Sequence, residues 1–412
     1  MKSKVTVKLP VLLTLAAAAF MLAAAVTGAT AGQLQPPTGA YAVGITRYAF
    51  VDTGRPELFT EDPDDHREVT ATVWYPAEMV EGADRAPYYP MAGEIVERFP
   101  YPDSLAGIET SSWLDLPCAG GKERFPVIIF NHGWGEHVGQ STILMQELAS
   151  HGFVVFSIGH HYESKFWVYP DGSVTYLNTL SPRFQQIMTE QSQPGMMDLY
   201  NAMFTARSEE EQKAVFRKSM DAMPTMLIET PRMWAEDISF VIDELDSLNR
   251  SHDTDGGLLQ GRLDLNRLGV AGMSMGGIAA GQACIGDGRI KACINTDGGL
   301  FGDLLDATLA VPVMFMGSKR FVGYEDIFAG SSDGDLYTVI VADADHYDYT
   351  DFTLLHRQHM LMGTIAGRRM LELVNAYTLA FFDRYLRGSK QDLLETVPSP
   401  YPEVEFRAYH AE

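Results

Sequence analysis

The chain has 412 residues, of which 46% are apolar, and a formal net charge of −23. That length and apolar content suit one large α/β domain or two smaller ones. So acidic a surface repels nucleic acid and anionic membranes, and neither is predicted as a partner. The three cysteines form no Cys/His spacing typical of a zinc site, so we predict no metal.

The first 31 residues have the pattern of a secretory signal peptide. Three lysines precede an apolar run from Val11 to Val26, and Ala29-Thr30-Ala31 is a small-residue cleavage site. The alternative is an uncleaved membrane anchor, but the run is short for a span. We therefore expect an exported chain, periplasmic or extracellular, in which residues 32–412 form a single domain.

The first half of that domain predicts strands and then a strand–helix–strand unit. Residues 41–51 and 68–75 are the first two strands, and the second alternates apolar and polar residues. After a proline-rich excursion, the apolar strands 126–130 and 153–158 flank a helix at 141–150. This order is typical of a parallel sheet.

Residues 162–230 interrupt the alternation and predict an insertion. It contains a hairpin at 167–177 and a helix after the capping box Ser208–Glu211. Its many methionines favour either an adaptable apolar wall beside a site or ordinary packing of an extra helical layer. Thr230-Pro231 predicts the start of the next helix, as N-cap and first helical residue.

The segment Gly272-Met273-Ser274-Met275-Gly276 is the chemical centre of the sequence. It follows the apolar run 268–271 and precedes a small-residue run typical of a tightly packed helix. G-x-S-x-G between strand and helix is the nucleophile elbow of α/β-hydrolases. Both glycines are expected because side chains there would clash in so sharp a turn. The helix N-terminus behind Ser274 favours a developing anion.

A serine nucleophile needs a histidine base, and the histidine needs a carboxylate to orient it. His346 follows the last predicted parallel strand, 337–341, while His356 and His359 lie further on and are second choices. For the acid, Asp297 stands at the end of strand 292–295, and Asp326 is the alternative beyond strand 311–316. Position at the end of a strand does not by itself decide between Asp297 and Asp326.

The oxyanion of an acyl-transfer intermediate needs two N–H donors. The backbone of Met275, directly after Ser274, is predicted to supply one. The loop His132-Gly133-Trp134-Gly135 is placed to supply the other from Trp134. Of the cysteines, Cys284 and Cys293 are close enough along the predicted helix and strand to form a disulfide in an exported protein, and three buried free thiols are the alternative.

Four motifs resemble the platelet-activating factor acetylhydrolase family of α/β-hydrolases and its bacterial relatives. They are the oxyanion loop 130–135, the segment 147–155 after it, the elbow, and His346-Tyr347-Asp348-Tyr349-Thr350-Asp351-Phe352. The family places its acid 23 residues beyond the serine, which implies Asp297 rather than Asp326. The resemblance covers residues 41–386 and requires no metal or other cofactor.

The sequence therefore predicts an α/β-hydrolase fold, with a mostly parallel central sheet, helices on both faces and a helical insertion. We expect a serine esterase with the triad Ser274, Asp297 and His346. The resemblance implies a short or oxidised acyl group on a phospholipid-like ester. Alternatives are a polyester or cutin-type hydrolase, a general carboxylesterase, or a non-catalytic binding protein on the same scaffold.

Overall fold

The computed structural model describes residues 34–99, 103–121, 123–206, 208–250, 257–319, 327–328, 332–355 and 361–411. The predicted signal peptide, Asp326, His356 and His359 lie outside these residues. No helix within the described ranges is long and apolar enough to cross a membrane.

Most described strands join one mixed sheet. In chain order the strands are β1 (Ala42–Pro56), β2 (His66–Ala77), β3 (Arg85–Pro87), β4 (Glu109–Leu114), β5 (Phe125–Asn131), β6 (Val154–His160), β7 (Phe166–Val168), β8 (Val174–Tyr176), β9 (Leu263–Met273), β10 (Ile290–Thr296), β11 (Val313–Gly317), β12 (Leu336–Val341) and β13 (Val404–Tyr409). The spatial order is β13-β12-β11-β10-β9-β5-β6-β2-β1-β4-β3, and β7 and β8 form a separate hairpin.

Helices cover both faces of this sheet. The described α-helices are α1 (Ala92–Arg98), α2 (Thr142–Ser150), α3 (Pro182–Gln191), α4 (Met196–Thr205), α5 (Glu209–Ala222), α6 (Thr230–Arg250), α7 (Met275–Gly286), α8 (Phe352–Leu355) and α9 (Gly367–Arg387). Apolar residues of α6 and α7 pack in one buried cluster, and those of α2 and α9 pack in another. The predicted α/β-hydrolase fold is confirmed.

The topology creates a switch point between β5 and β9. Strands β6, β5, β9, β10, β11 and β12 are parallel neighbours. From β5 the chain moves outward to β6, and it returns to the other side of β5 as β9. Loops at the carboxyl ends of two such strands diverge and leave a crevice, which is where open α/β sheets bind ligands. Here those loops are the predicted oxyanion loop and the elbow.

The insertion contains the two features predicted from sequence. β7 pairs antiparallel with β8, and α5 begins at a capping box in which Ser208 and Glu211 bond each other's backbone. Of its methionines, Met220 is buried in the core cluster that holds α6 and α7, and Met203, Met223 and Met226 pack against it. These four side chains therefore contribute core packing.

The structure starts α6 at Thr230, as predicted, but the predicted N-cap role of Thr230 is wrong. A π-helical turn, Thr225–Glu229, runs directly into α6, and Thr230 has helical dihedral angles rather than those of an N-cap. Its hydroxyl donates to the Thr225 carbonyl at 2.9 Å. The wider turn fits the sequence because Pro231 has no N–H to donate to an α-helical ladder.

The possible disulfide between Cys284 and Cys293 is absent from the structure. Both residues are buried free thiols, as is Cys118. They do lie together, since a hydrogen bond links the two thiols and contributes, after burial, to a pKa of Cys284 well above its usual value. The pair belongs to the apolar core cluster of α7, so the buried-thiol alternative describes this structure.

Candidate active site

Ser274 occupies a strained turn between β9 and α7. Its φ of 58° and ψ of −120° lie in a region that side-chain-bearing residues seldom adopt. A Cβ on Gly272 would lie 2.2 Å from the Gly276 backbone, and one on Gly276 would lie 2.2 Å from the Asn131 carbonyl oxygen. Glycine is thus required at both positions, which holds the elbow against the end of β5.

Asp297 and His346 meet beside this turn. His346 Nδ1 lies 2.5 Å from Asp297 Oδ2, and the other carboxylate oxygen accepts the Ser318 N–H at 2.8 Å. The Asp297 side chain is fully buried, and its residue directly follows Thr296, whose carbonyl accepts the Ser274 N–H at 2.8 Å. The adjacent strands β9 and β10 therefore bring the predicted acid next to the predicted nucleophile.

The turn that carries His346 is held in place by hydrogen bonds to the Asp348 carboxylate. The Asp348 carboxylate accepts the Asp345 N–H at 2.9 Å and the Thr353 hydroxyl at 2.8 Å, and Asp345 in turn caps the His346 N–H. Asp348 is fully buried. The sequence motif contained this residue, but its positioning role could not be read without the three-dimensional turn.

The Ser274 hydroxyl makes no hydrogen bond to a described residue, whereas the hydrogen bond between Asp297 and His346 is formed. Hydrogen bonds of a catalytic site are often open before substrate binds. The structure thus brings together all three predicted residues around one turn and forms one of the two bonds that a triad uses.

The predicted oxyanion donors lie on either side of Ser274. A Cβ on Gly133 would be 3.5 Å from Ser274 Cβ, so this loop packs directly on the serine. The neighbouring N–H groups are occupied, because Gly133 donates to Gln140 Oε1 and Gly135 to the Glu163 carbonyl. Within the described chain, the backbone N–H groups of Trp134 and Met275 have no acceptor.

A buried cluster of charges, missed at the sequence level, lies behind the oxyanion loop. Arg67, at the start of β2, is buried against the carboxylates of Glu57, Glu163 and Asp237, the last at 2.7 Å. His160, at the end of β6, completes this group through Asp237, again at 2.7 Å. We call these five residues the Arg67 cluster. No sequence signal pairs them, since Arg67 and Asp237 are 170 positions apart.

The Arg67 cluster supports the loop through aromatic and backbone contacts. The Trp234 indole donates to Glu163 at 2.9 Å and stacks on His160, with ring centroids 3.6 Å apart. The His132 ring packs edge-on against both, and the Glu163 carbonyl holds Gly135. The cluster therefore fixes both ends of the loop that presents Trp134.

Burial and mutual attraction shift the pKa values in this cluster in opposite directions. Burial raises the pKa of Glu163 to about 7 and lowers the pKa of His160 to about 4. Although burial alone would raise it, the Arg67 guanidinium holds the pKa of Asp237 well below its usual value. Burial, with a smaller contribution from His160, lowers the pKa of His132 to about 3, so that ring is neutral beside the oxyanion loop.

Replacing Arg67 should strongly destabilise the fold. Arg67→Met leaves three carboxylates buried together, and breaking a buried ion pair by removing one partner typically costs about 3–5 kcal/mol. The matched control is Arg217→Met, which removes an exposed pair with Asp306 and should cost less than about 1 kcal/mol. Urea denaturation at neutral pH measures both, and equal losses would contradict the role given to the cluster.

His160→Asn should make stability less dependent on pH. In the wild type the unfolded chain binds a proton at His160 below about pH 6.5, whereas the folded chain does so only below about 4. Wild-type stability therefore falls as pH drops through this window, by up to about 3 kcal/mol from this group. The Asn variant lacks this titration. It should be about 1–3 kcal/mol less stable than the wild type at pH 8, because buried hydrogen bonds are lost, and the difference should shrink by pH 5. Urea denaturation at both pH values tests this, and a widening deficit would contradict it.

A second buried pair joins the oxyanion loop to the histidine turn. Glu136 lies 2.9 Å from Lys165 Nζ and accepts the Tyr347 hydroxyl at 3.4 Å. Although burial alone would lower it, the Glu136 carboxylate raises the pKa of Lys165. Because Tyr347 directly follows His346, this contact couples the positions of the two loops.

In the described ranges, no group of three or more His, Cys, Asp or Glu could hold a metal ion.

The insertion reaches the site through the side chain of Trp134. Its indole stacks on Phe184 of α3, with ring centroids 5.5 Å apart and planes 13° apart. The insertion thus packs directly on the side chain of the predicted oxyanion donor Trp134, whose neighbour Gly133 packs on Ser274.

Comparisons with known proteins relate the chain to a family of ester hydrolases. The family described as platelet-activating factor acetylhydrolase, isoform II, matches residues 27–394. The chain is 25% identical to the dog platelet-activating factor acetylhydrolase over 86% of this chain and 77% of that protein. A probable 1-alkyl-2-acetylglycerophosphocholine esterase of Arthroderma benhamiae is 28% identical over 34% of this chain and 43% of its own.

Among solved structures, a ferulic acid esterase from Streptomyces cinnamoneus superposes with a TM-score of 0.66. It is 25% identical in sequence, and the match covers 92% of this chain and 99% of that one. The family and the structural neighbour are thus both named as enzymes that hydrolyse esters.

Proposed function

Because the chain belongs to the platelet-activating factor acetylhydrolase isoform II family and is an ester hydrolase, we propose that it acts through Ser274, His346 and Asp297. The observation that carries this proposal is the 2.5 Å contact between His346 Nδ1 and Asp297 beside the strained Ser274. A serine held at such an angle points its hydroxyl out of the turn, where an ester carbonyl can approach.

The reaction then proceeds in two acyl transfers. Ser274 Oγ attacks the ester carbonyl while His346 Nε2 takes its proton and passes it to the leaving alcohol. Asp297 holds the proton of Nδ1 and stabilises the imidazolium that forms. Water next attacks the acyl-enzyme with His346 as base, which releases the acid and restores Ser274.

The tetrahedral intermediates carry an oxyanion that the two open N–H groups would bind. Met275 N–H stands at the first residue of α7, so the helix N-terminus adds a favourable field. Trp134 N–H faces it from the loop after β5. Loss of one such donor typically costs about 2.7–4 kcal/mol of transition-state stabilisation, which explains why a buried cluster serves to hold this loop in place.

We propose short-acyl, phospholipid-like esters as substrates. The relatives are named for the hydrolysis of platelet-activating factor and of a 1-alkyl-2-acetylglycerophosphocholine. The stacked rings of Trp134 and Phe184 lie at the oxyanion loop next to Gly133, which packs on Ser274, and we propose that they limit the acyl chain. A general carboxylesterase that accepts aromatic acyl groups is the second candidate, favoured by the ferulic acid esterase neighbour.

The two candidates separate on a matched substrate panel. We would measure kcat/KM for p-nitrophenyl esters from acetyl to palmitoyl, for 1-alkyl-2-acetyl- and 1-alkyl-2-palmitoyl-phosphocholines, and for methyl ferulate. The proposal predicts a fall of at least about 10-fold from acetyl to palmitoyl in both series. Preference for palmitoyl would overturn it, and methyl ferulate as the best substrate would establish the second candidate.

We also propose that the enzyme is exported, periplasmic or extracellular, on the signal-peptide pattern of residues 1–31. Expression of the full chain in a bacterial host followed by N-terminal sequencing of the exported protein tests this. A protein that begins at Gly32 supports export with cleavage, and an intact N-terminus on membranes would contradict it.

A further inference from the structure

The proposed mechanism does not use Gln140, a buried glutamine that lies between the oxyanion loop and α2. Its side chain turns back toward the loop, where Oε1 accepts the Gly133 N–H at 2.9 Å. A Cβ on Gly133 would lie 3.5 Å from Gln140 Nε2 and also 3.5 Å from Ser274 Cβ. Only Gly133 therefore separates this amide from the proposed nucleophile, although Gln140 is 1% exposed and offers almost no surface to a substrate.

Hydrogen bonds hold the peptide group that contains the proposed oxyanion donor. The Gly133 carbonyl accepts the Glu136 N–H at 3.0 Å, and it lies 2.7 Å from His132 Nδ1. A carbonyl only accepts, so the neutral His132 ring carries its proton on Nδ1. In a trans peptide the Gly133 carbonyl and the Trp134 N–H share one plane and point in opposite directions. The bonds that hold this carbonyl therefore set the direction of the Trp134 N–H.

Gln140 holds the peptide group on the other side of Gly133. Glycine has no side chain to restrict its dihedral angles, and it loses more conformational freedom on folding than any other residue. A Cβ on Gly133 would meet no atom closer than 3.5 Å, so the space beside this residue does not confine its backbone. The hydrogen bond to Gln140 Oε1 thus restrains a rotation that would change the direction of the Trp134 N–H.

The backbone of Gln140 is itself bonded to the turn that carries His346. The Gln140 carbonyl accepts the Asp351 N–H at 3.1 Å. The buried Asp351 carboxylate in turn accepts the Ile143 N–H at 3.3 Å and the Tyr88 hydroxyl at 3.2 Å. Gln140 therefore joins two loops, because its side chain holds the oxyanion loop and its backbone holds the histidine turn.

We infer that Gln140 is a positioning residue for ester hydrolysis, which acts through Gly133 and never touches the substrate. It keeps the oxyanion loop and the histidine turn in a fixed relation, so that Trp134 and His346 serve the same tetrahedral intermediate. This inference rests on the proposed function. An oxyanion donor stabilises the transition state more than the bound ester, so the effect of Gln140 belongs to kcat rather than to KM.

The test replaces Gln140 by methionine, which is also unbranched but lacks the amide. Gln140→Met should lower kcat for p-nitrophenyl acetate by about 10–100-fold and leave KM within about 2-fold, since the donor is misaligned rather than removed. The inhibition constant of a trifluoromethyl ketone, whose hemiketal with Ser274 carries an oxyanion, should rise by the same factor as kcat/KM falls. Rates are referred to active sites counted with a fluorophosphonate, so that unfolded protein does not contribute.

Gln146→Met is the matched control. Gln146 is an equally buried glutamine of α2, and its Oε1 accepts the Ser111 N–H and the Ser112 hydroxyl of β4 instead of the oxyanion loop. Both variants should lower the urea midpoint, but Gln146→Met should keep kcat within about 2-fold of the wild type. If Gln140→Met does not fold, Gln140→Asn should show the same loss of kcat, because its oxygen falls short by about 1.5 Å, one carbon–carbon bond.

The outcomes separate this inference from the proposed function. A wild-type kcat in Gln140→Met, with hydrolysis that still depends on Ser274, would overturn the inference and leave the triad in place. Equal falls in kcat for Gln140→Met and Gln146→Met, or a change confined to KM, would also overturn it, because either result describes general packing. Hydrolysis that persists in Ser274→Ala would overturn both.

Discussion

Ser274→Ala should lower kcat for p-nitrophenyl acetate by about 10⁵–10⁶-fold, because it removes the atom that forms the acyl-enzyme. The residual rate should still exceed that of water, since the oxyanion donors and the substrate-binding surface remain. The free energy of unfolding should not fall. The Ser274 hydroxyl makes no contact with a described residue that Ala would remove, and the positive φ strains Ala no more than Ser. Steady-state rates and urea denaturation of the same preparation separate the two effects.

A double variant sharpens this test. Members of a triad act as one unit, so Ser274→Ala combined with His346→Ala should be no slower than Ser274→Ala alone. A matched serine control is Ser173→Ala in the exposed hairpin turn, which should keep the wild-type rate. Additive losses in the double variant would show that His346 serves a purpose other than activating Ser274.

Asp297→Asn should lower kcat by about 10⁴-fold with little change in KM. The Ser318 N–H donates to one oxygen of Asp297, so the Asn carbonyl is expected to remain there. The amide NH₂ then faces His346 Nδ1, which lies 2.5 Å from the second oxygen in the wild type. Two donors cannot face each other, so the proton moves to Nε2, where the base must accept the proton of Ser274.

Asp326→Asn is the discriminating control for this prediction. Strand position alone left Asp326 as the alternative acid, and it lies outside the described residues. We expect the Asp326→Asn enzyme to retain the wild-type kcat. A large loss in that variant, with an active Asp297→Asn enzyme, would reassign the acid and leave the 2.5 Å contact with a structural role only.

The elbow and the strands of the parallel core follow from local sequence, whereas the choice of Asp297 over Asp326 depends on the family resemblance. Gly272 and Gly276 bracket Ser274 because backbone atoms of the turn and of β5 leave no room for a Cβ. Such requirements operate over a few residues and are therefore visible in the sequence. The distance from Ser274 to Asp297 spans one helix and one strand, which is also a short-range unit.

The groups that hold the loops in place could not be predicted. Arg67, Asp237 and His160 become neighbours only when β2, α6 and β6 are assembled, and no periodicity marks them. Thr-Pro fits an N-cap locally, but Thr230 is not one because a π-helical turn runs into α6 from the preceding residues. The possible Cys284–Cys293 disulfide is absent for a related reason, since proximity in sequence does not decide whether two buried thiols are oxidised to a disulfide.

The most direct test of the account is covalent labelling with a fluorophosphonate, read by intact mass and peptide mapping. Because these reagents phosphonylate only an activated serine, we predict a single adduct per chain, on the peptide that carries Ser274, and none on the Ser274→Ala enzyme. An unlabelled wild type, or an adduct that persists in Ser274→Ala, would contradict the assignment of Ser274 as the nucleophile.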